Sequence, residues 1–230
     1  LIICDNRKIE EYIQSEYTIY KPNTTFIAYG TDVIASGLTQ DNESVKSWFN
    51  KKKITKKQYY LIVGRFVPEN NYETMIREFM SSSSTKDLVI VTNVEKNKFY
   101  QYLSQKTGFE NDERIKFVGT VYDQALLRYI RENAYAYLHG HEVGGTNPSL
   151  LEALSSTQLN LLVDVGFNRD VAHDAALYWP KKEGALAHTI NQADNFTIKQ
   201  LLENETKAKK IITDEYTWDN ITHKYENLFG

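Results

Sequence analysis

A parallel α/β sheet covered by helices on both faces is the fold class that the sequence predicts. From residue 59 onward, short apolar runs alternate with segments of helical periodicity, and this order favours parallel strands joined by helical crossovers. The stretch 134–154 shows the pattern most clearly, as an apolar run, a glycine turn and the start of a helix. Ligands of such open sheets bind beyond the carboxyl ends of the strands, so we expect the site there.

The strands are predicted from apolar runs, and the helices from apolar positions three and four residues apart. Strands are expected at residues 1–5, 24–30, the first part of 59–71, 88–91, 115–118, 134–138, 159–165 and 176–179. Helices are expected at residues 6–16, 44–52, 72–80, 95–106, 123–131, from 148 onward, 184–193 and 197–229, the last broken near 216–218.

The turn within 134–154 indicates an anion site. Gly144 and Gly145 allow a tight turn and a close approach to the backbone, Thr146 or Asn147 can cap the helix, and Pro148 suits its first position. The free N–H groups and positive dipole at such a helix start attract phosphate. An ordinary strand-to-helix connection is the alternative interpretation.

Composition excludes several classes of protein. The chain has 230 residues, 41% hydrophobic and 25% charged, with a net charge of -3, which gives no overall basic surface for nucleic acid. A single cysteine excludes an internal disulfide framework and fits a reducing compartment. There is neither a membrane-length apolar run nor a signal peptide. The lysines of 51–57 predict a solvated helix end, with contact to an anionic membrane as the alternative. Because the chain begins inside a predicted strand, we expect it to be a fragment.

Two further residues fit an anion and its neighbouring hydroxyls. Arg65 follows the predicted strand of residues 59–63 directly, where a guanidinium can pair bidentately with a phosphate or carboxylate; a surface salt bridge is the alternative. Glu152 lies more than one turn inside the helix, so it is placed to reach a hydroxyl beside a bound anion rather than to cap.

Four motifs follow one another along the chain: V-G-R-F-V-P-E-N-N, F-V-G-T-V-Y-D-Q-A-L-L, G-G-T-N-P-S-L-L-E-A-L and the closing I-I-T-D-E-Y-T-W-D-N-I-T-H-K-Y-E-N-L-F. In sequence and in order, they resemble the motifs of the retaining glycosyltransferases of family 4, which have the GT-B fold. The resemblance implies the C-terminal, Rossmann-like half of that fold. Residues 1–22 would end the acceptor domain, 23–205 would bind the nucleotide-sugar, and 206–230 would pack back toward the missing half, with Trp218 and Tyr225 as anchors.

The resemblance assigns roles residue by residue. The family's arginine falls on Arg65, which would bind the diphosphate. Its companion lysine falls on Asn70, which would also bind the diphosphate but brings no positive charge to the usual cationic clamp. The family's second glutamate falls on Glu152, which would bind the ribose or deoxyribose hydroxyls. The loop residues Val121 and Tyr122 would lie near the base, largely through backbone groups.

One family carboxylate is absent. The family's first glutamate, which contacts the donor sugar, falls on Gly144, and the nearest carboxylate is Glu142. The amides of Gly144, Gly145 and Thr146, together with Asn147, would then hold the diphosphate instead.

A narrower similarity is to bacterial cell-wall and capsular rhamnosyltransferases, carried by H-G-H-E-V-G-G-T-N-P-S-L-L-E-A-L, D-N-R-K-I-E-E-Y-I, F-I-A-Y-G-T-D and G-F-N-R-D-V-A-H-D-A-A-L-Y-W. It implies dTDP-L-rhamnose as donor and a polysaccharide or lipid-linked acceptor, in the cytoplasm or at the inner face of the membrane. The family resemblance also implies neither metal nor cofactor. We expect this chain to bind donor weakly and to transfer nothing alone.

Other chemistries are weighed against this interpretation. His139 and His141 alternate on a strand end, so their rings can point to one side. With Glu142, they are expected to contact the donor sugar; a hydrogen bond from a histidine to a donor phosphate, structural packing, and a metal held by the two histidines and Glu142 are the alternatives. There is no nucleophile elbow and no evident pair of catalytic carboxylates. A non-catalytic nucleotide-binding module, a nucleotide-sugar epimerase and a phosphorylase remain open, although no pyridoxal phosphate signature is present.

Overall fold

A six-stranded, wholly parallel sheet forms the centre of the protein, for which a computed structural model describes residues 1–94 and 97–229. Its strands are β3 (Tyr59–Val63), β4 (Asp87–Val91), β5 (Ile115–Phe117), β6 (Ala136–His139), β7 (Asn160–Val163) and β8 (Leu177–Trp179). They are arranged in the order β5-β4-β3-β6-β7-β8. The chain therefore builds outward from β3 in one direction and from β6 in the other. The carboxyl ends of β3 and β6 meet at this switch point, where open sheets bind ligands.

Ten helices lie in the described residues. They are α1 (Arg7–Glu16), α2 (Glu43–Lys52), α3 (Tyr72–Ser81), α4 (Lys98–Thr107), α5 (Gln124–Glu132), α6 (Pro148–Ser156), α7 (Gly166–Ala172), α8 (Ala185–Ala193), α9 (Ile198–Glu215) and α10 (Trp218–Phe229). Within residues 1–94 and 97–229, no helix combines the length and the apolar character needed to cross a membrane.

Both faces of the sheet are buried, as the continuous apolar runs predict. In β3, Tyr60 and Ile62 pack into one core cluster, while Tyr59 and Leu61 pack into the cluster on the opposite face. The first cluster is covered by α3, α4 and α8, and the second by α2 and α5. A third cluster joins α6, α7 and α9. The predicted fold class is confirmed.

The N-terminal residues form a separate two-stranded parallel sheet. Its strands are β1 (Ile2–Cys4) and β2 (Thr24–Phe26), paired from Ile2 with Thr24 onward. The expected domain boundary at residue 22 falls between these paired strands, and the division into 1–22, 23–205 and 206–230 stays a prediction.

Several element bounds differ from those predicted. Helix α7 was not predicted, because its seven residues are too few to show a helical period. The strand predicted at 134–138 is shifted to Ala136–His139, and the strand predicted at 24–30 ends at Phe26. The first two residues of the helix predicted at 95–106 lie outside the described residues.

Tyr216 and Ile221 hold the C-terminal helices against the described residues, and the role expected for Trp218 and Tyr225 as anchors toward the missing half stays a prediction. Trp218 and Tyr225 are 49% and 38% exposed, whereas Tyr216 and Ile221 are buried with α6 and α7 in the third cluster. Trp218 instead lies against Gly30, where a Cβ would come within 2.6 Å of its ring. The buried Tyr216 lies at the break between α9 and α10.

The predicted solvated helix end is only partly solvated. Lys51 and Lys52 lie in the last turn of α2. Lys57, by contrast, turns inward, and its ammonium donates hydrogen bonds to the carbonyl of Glu132 at 2.8 Å and to Gln158 Oε1 at 3.0 Å.

Candidate functional site

Two adjoining cavities open along the carboxyl edge of the sheet, at the switch point between β3 and β6. The first has a volume of about 300 Å³ and the second about 640 Å³. They share a common wall formed by Val63, Gly64, Arg65, Pro148 and Ser149. The two cavities therefore form one elongated cleft, which is bounded by the loop after β3 and the start of α6.

Arg65 lies at the junction of the two cavities. Its side chain is exposed, and among the described residues it makes neither an ion pair nor a side-chain hydrogen bond. Its charge is felt nearby, because burial and then the Arg65 guanidinium lower the pKa of His141. An uncommitted guanidinium in the middle of a cleft is suited to an anionic ligand.

Asn70 closes the loop that follows β3. Its Nδ2 donates a hydrogen bond of 2.7 Å to the carbonyl of Arg65, whereas its Oδ1 is buried without a partner among the described residues. Asn70 also lines the first cavity. One of the two N–H groups of Nδ2 is committed to the backbone and the unpartnered Oδ1 is an acceptor, so this geometry suits a ligand hydroxyl better than the phosphate predicted for Asn70.

Gly140 lets the loop approach the end of β6 closely. A Cβ at Gly140 would lie 2.4 Å from the backbone oxygen of Asn70 and 2.9 Å from Met75 Cε. Asn71 Nδ2 also donates a hydrogen bond of 2.7 Å to the carbonyl of Gly140. The two walls of the first cavity are thus in direct backbone contact.

This contact predicts that Gly140→Ala destabilises the protein by about 1–3 kcal/mol, since a backbone atom must move to admit the methyl group. Urea denaturation would measure the change. Gly64→Ala is the matched control, because its added Cβ would meet its nearest neighbour, Asn70 Nδ2, at an ordinary 3.6 Å. Equal stability of the two variants would contradict the prediction.

The start of α6 uses several of its amides internally. Asn147 is the N-cap, and its Oδ1 accepts a hydrogen bond of 2.9 Å from the amide of Ser149, while Pro148 has no N–H. Asn147 lines the first cavity, as do Pro148 and Ser149. The helix start therefore faces the cleft, but it offers fewer free amides than the turn sequence predicts.

The preceding turn faces β1 rather than the cleft. The amide and hydroxyl of Thr146 both donate to the carbonyl of Asp5, and a Cβ at Gly145 would lie 2.0 Å from Asp5 Oδ1. Gly144, Gly145 and Thr146 are outside the residues that line the two cavities. Of the four residues predicted here for the diphosphate, only Asn147 borders the cleft in this arrangement.

The two histidines both line the first cavity. Their ring centroids are 6.0 Å apart, and His139 Nε2 is buried without a partner among the described residues. Glu142 does not accompany them, because both of its carboxylate oxygens bind the Lys181 ammonium, at 2.7 and 2.9 Å. Across residues 1–94 and 97–229, no group of three or more His, Cys, Asp or Glu side chains is placed to hold a metal ion.

His139 makes the stability of the protein depend on pH. Burial, and to a lesser degree the neighbouring His141, lowers the pKa of His139 to about 3. In the unfolded chain that pKa is about 6.5, so below pH 6.5 the unfolded state binds the extra proton and stability falls as the pH falls toward 3. Between pH 7 and 5.5, the free energy of unfolding should therefore drop by about 1 kcal/mol more in the wild type than in His139→Gln. Urea melts at both pH values measure this; parallel losses would contradict it.

Two of the three residues that are predicted to contact the nucleoside line the second cavity. Val121 and Glu152 line it, together with Asn93, Asn97 and Thr120. Tyr122 is 85% exposed and lies outside the lining.

Sequence reasoning missed Arg131, which lines the same cavity and pairs with Glu152. The signal was present, because the spacing from Leu127 to Arg131 puts this arginine on the apolar face of α5. It also missed Tyr137 and Ser149. Their hydroxyls both reach the carbonyl of Val63, at 3.0 and 3.1 Å, and tie β6 and α6 to the end of β3.

Solved structures of glycosyltransferases share this fold. A glycosyltransferase from Rickettsia africae superposes with a TM-score of 0.84 at 13% identity, covering 99% of this chain and 62% of its own length. The Anabaena protein HepE, in complex with UDP, gives 0.82 at 15%, covering 100% and 63%. A sucrose-phosphate synthase from Thermosynechococcus elongatus gives 0.77 at 15%, covering 99% and 57%. The chain thus spans less than two thirds of these proteins.

Sequence comparison gives the family. No curated protein sequence matches the chain. Residues 1–32 match a domain of unknown function, DUF1972. Residues 44–218, which hold the whole cleft, match the model described as glycosyl transferases group 1. The protein therefore belongs to the glycosyl transferases group 1 family.

Proposed function

We propose that the cleft binds a nucleoside diphosphate sugar, the donor of a glycosyl transfer. The nucleoside would occupy the larger cavity beside Val121 and Glu152, the diphosphate would lie at Arg65, and the sugar would enter the smaller cavity. The single observation that carries the proposal is the position of Arg65, an uncommitted cation at the junction of the two cavities, whereas Arg131 in the larger cavity is paired with Glu152. The UDP in the Anabaena structure and the family match support the same class of ligand.

The cleft would act on the leaving group. As the bond between sugar and phosphate breaks, negative charge gathers on the departing diphosphate. The Arg65 guanidinium would be in place before the reaction begins and would stabilise this charge as it develops. Asn147 and Ser149, at the start of α6, add polar groups and the positive end of a nine-residue helix to the same wall. We propose retention of configuration at the sugar, in keeping with the resemblance of the four motifs, without a protein nucleophile.

The polar groups of the smaller cavity indicate which kind of sugar it could bind. Within residues 1–94 and 97–229, Asn70 Oδ1 and His139 Nε2 are buried without partners, and each such atom costs about 1–3 kcal/mol until a ligand or water satisfies it. With its pKa lowered to about 3, His139 is neutral at physiological pH. We propose that these residues contact hydroxyls of an uncharged sugar, and our choice remains L-rhamnose, carried by dTDP.

The rest of the reaction is proposed from the narrower resemblance. The acceptor would be a polysaccharide or a lipid-linked saccharide, bound by a domain outside these 230 residues, at the cytoplasmic face of a membrane. Neither metal nor cofactor enters the proposal. The chain alone would bind donor weakly and transfer nothing.

Calorimetric titration with dTDP, UDP and GDP, followed by dTDP-rhamnose, tests the proposal. Selective binding of dTDP, kept or strengthened with rhamnose attached, is the expected result. A preference for UDP or GDP would retain the glycosyltransferase and reject rhamnose as the sugar. Turnover of the donor without acceptor would instead indicate an epimerase, and glycosyl transfer by these residues alone would contradict the claim that they are inactive by themselves.

A further inference from the structure

A buried arginine stands behind the carboxylate that faces the nucleoside cavity. Arg131 lies in the last turn of α5, with a side chain that is only 4% exposed, and its Nη2 is 2.5 Å from Glu152 Oε2. Glu152 itself is 39% exposed and lines the cavity. The pair therefore has a buried cationic end and an accessible anionic end.

The arginine is held by the same elements that build the wall of the cleft. Its Nη2 is also 3.5 Å from the hydroxyl of Ser149, which in turn reaches Tyr137 Oη at 3.0 Å. Its Nε is buried and without a partner among the described residues. Burying two charged groups costs free energy that their attraction often fails to return, and here part of the guanidinium is also unsatisfied. Stability alone is therefore a poor explanation for an arginine at this position.

The pairing restricts Glu152 without burying it. Glu152 Oε2 is 2.5 Å from Arg131 Nη2, yet the Glu152 side chain is 39% exposed and lines the larger cavity. A glutamate on a helix ordinarily samples several rotamers, so an ion pair at this distance favours the rotamers that keep the carboxylate beside Arg131 at the cavity wall.

We infer that Arg131 is a positioning residue, which holds Glu152 as an oriented carboxylate for the hydroxyls of the nucleotide ribose. The inference rests on the proposed function, and it adds a residue that acts through Glu152 rather than on the ligand. Without Arg131, Glu152 would turn into solvent and its hydrogen bond to the ribose would be lost, while the diphosphate contacts at Arg65 would remain.

The test compares nucleotides that differ only in the ribose hydroxyls. The protein is titrated separately with the two members of a pair, either UDP and 2′,3′-dideoxy-UDP or dTDP and 3′-deoxy-dTDP. The pair is chosen according to whether UDP or dTDP binds more tightly. The ratio of the two Kd values measures what the hydroxyls contribute. In the wild type, a hydroxyl bound by a carboxylate should give a ratio of about ten or more.

Arg131→Met removes the guanidinium but keeps a long side chain. In Arg131→Met, we expect the ratio of the two Kd values to fall to within about threefold of one, as it should in Glu152→Gln. The double variant that carries both substitutions should show no further fall in this ratio. Arg131→Lys keeps the charge without the fork, so it should lie between the wild type and Arg131→Met. Arg128→Met, on the same helix and outside both cavities, should keep the wild-type ratio.

Each outcome decides the matter. A merely structural role would weaken both nucleotides equally, and an unchanged ratio in the Arg131 variants that fold would overturn the inference. A wild-type ratio near one would overturn it too, because Glu152 would then not bind the ribose. If the wild type bound no nucleotide, the proposed function would fail, and the inference would fail with it.

Discussion

Replacing Arg65 by alanine should weaken the binding of a nucleoside diphosphate by about 1.5–3 kcal/mol, which is roughly tenfold to hundredfold in Kd. The physical reason is the loss of charge-assisted hydrogen bonds at the one point where both cavities meet. Because the Arg65 side chain is exposed and makes no ion pair among the described residues, its removal should leave the stability of the fold nearly unchanged. Calorimetric titration of the two proteins measures the difference.

Three comparisons sharpen this experiment. Arg65→Lys keeps the charge but cannot pair bidentately, so its affinity should fall between those of the wild type and Arg65→Ala. Arg128→Ala removes an arginine outside the cleft and should bind as the wild type does. The unphosphorylated nucleoside should bind the wild type and Arg65→Ala equally. Unchanged diphosphate affinity in Arg65→Ala would remove this residue from the site.

Replacing Glu78 by alanine should destabilise the protein by about 2–4 kcal/mol. Glu78 lies on α3 and is only 2% exposed, yet it has no cationic partner among the described residues. Its carboxylate instead caps the neighbouring helix α8, accepting hydrogen bonds from the amides of Gly184 at 3.0 Å and Ala187 at 3.3 Å. The helix needs this external cap because its N-cap residue is a glycine. The negative charge also lies at the positive end of the helix.

Urea denaturation of Glu78→Ala measures the cost, and two variants separate its causes. Glu78→Gln keeps an acceptor and the volume but loses the charge, so it should show about half of the effect. Glu73→Ala removes a glutamate on the same helix whose two partners, Arg77 and the Tyr102 hydroxyl, lie on side chains that are 47% and 42% exposed, and it should cost less than about 1 kcal/mol. A loss of less than about 0.5 kcal/mol in Glu78→Ala would show that α8 does not depend on this cap.

The sequence predicts the fold far better than it predicts the site. Strands buried on both faces are continuous apolar runs, so residues such as 59–63 and 88–91 are recognisable without any tertiary information. Helix α7 escapes because seven residues, opening with Gly166, display neither a period nor a side-chain cap.

Within the site, local sequence finds the residues that follow strand ends or begin helices. Arg65 and Asn147 are of this kind, and both border the cleft. What depends on packing between distant segments is not visible in sequence. Asp5 turns the 144–146 segment away from the cleft, and Arg131 reaches Glu152 from a different helix. Both contacts join residues that lie on different elements and are distant in the sequence.

The most direct measurement is a crystal structure of this chain with the nucleoside diphosphate that binds most tightly. The account predicts electron density that fills the larger cavity and reaches its junction with the smaller one, with the diphosphate within hydrogen-bond distance of Arg65, the ribose beside Glu152 and the base near Val121. A nucleotide bound elsewhere on the protein, or one whose phosphates lie away from Arg65, would contradict the central claim that this cleft is the donor site.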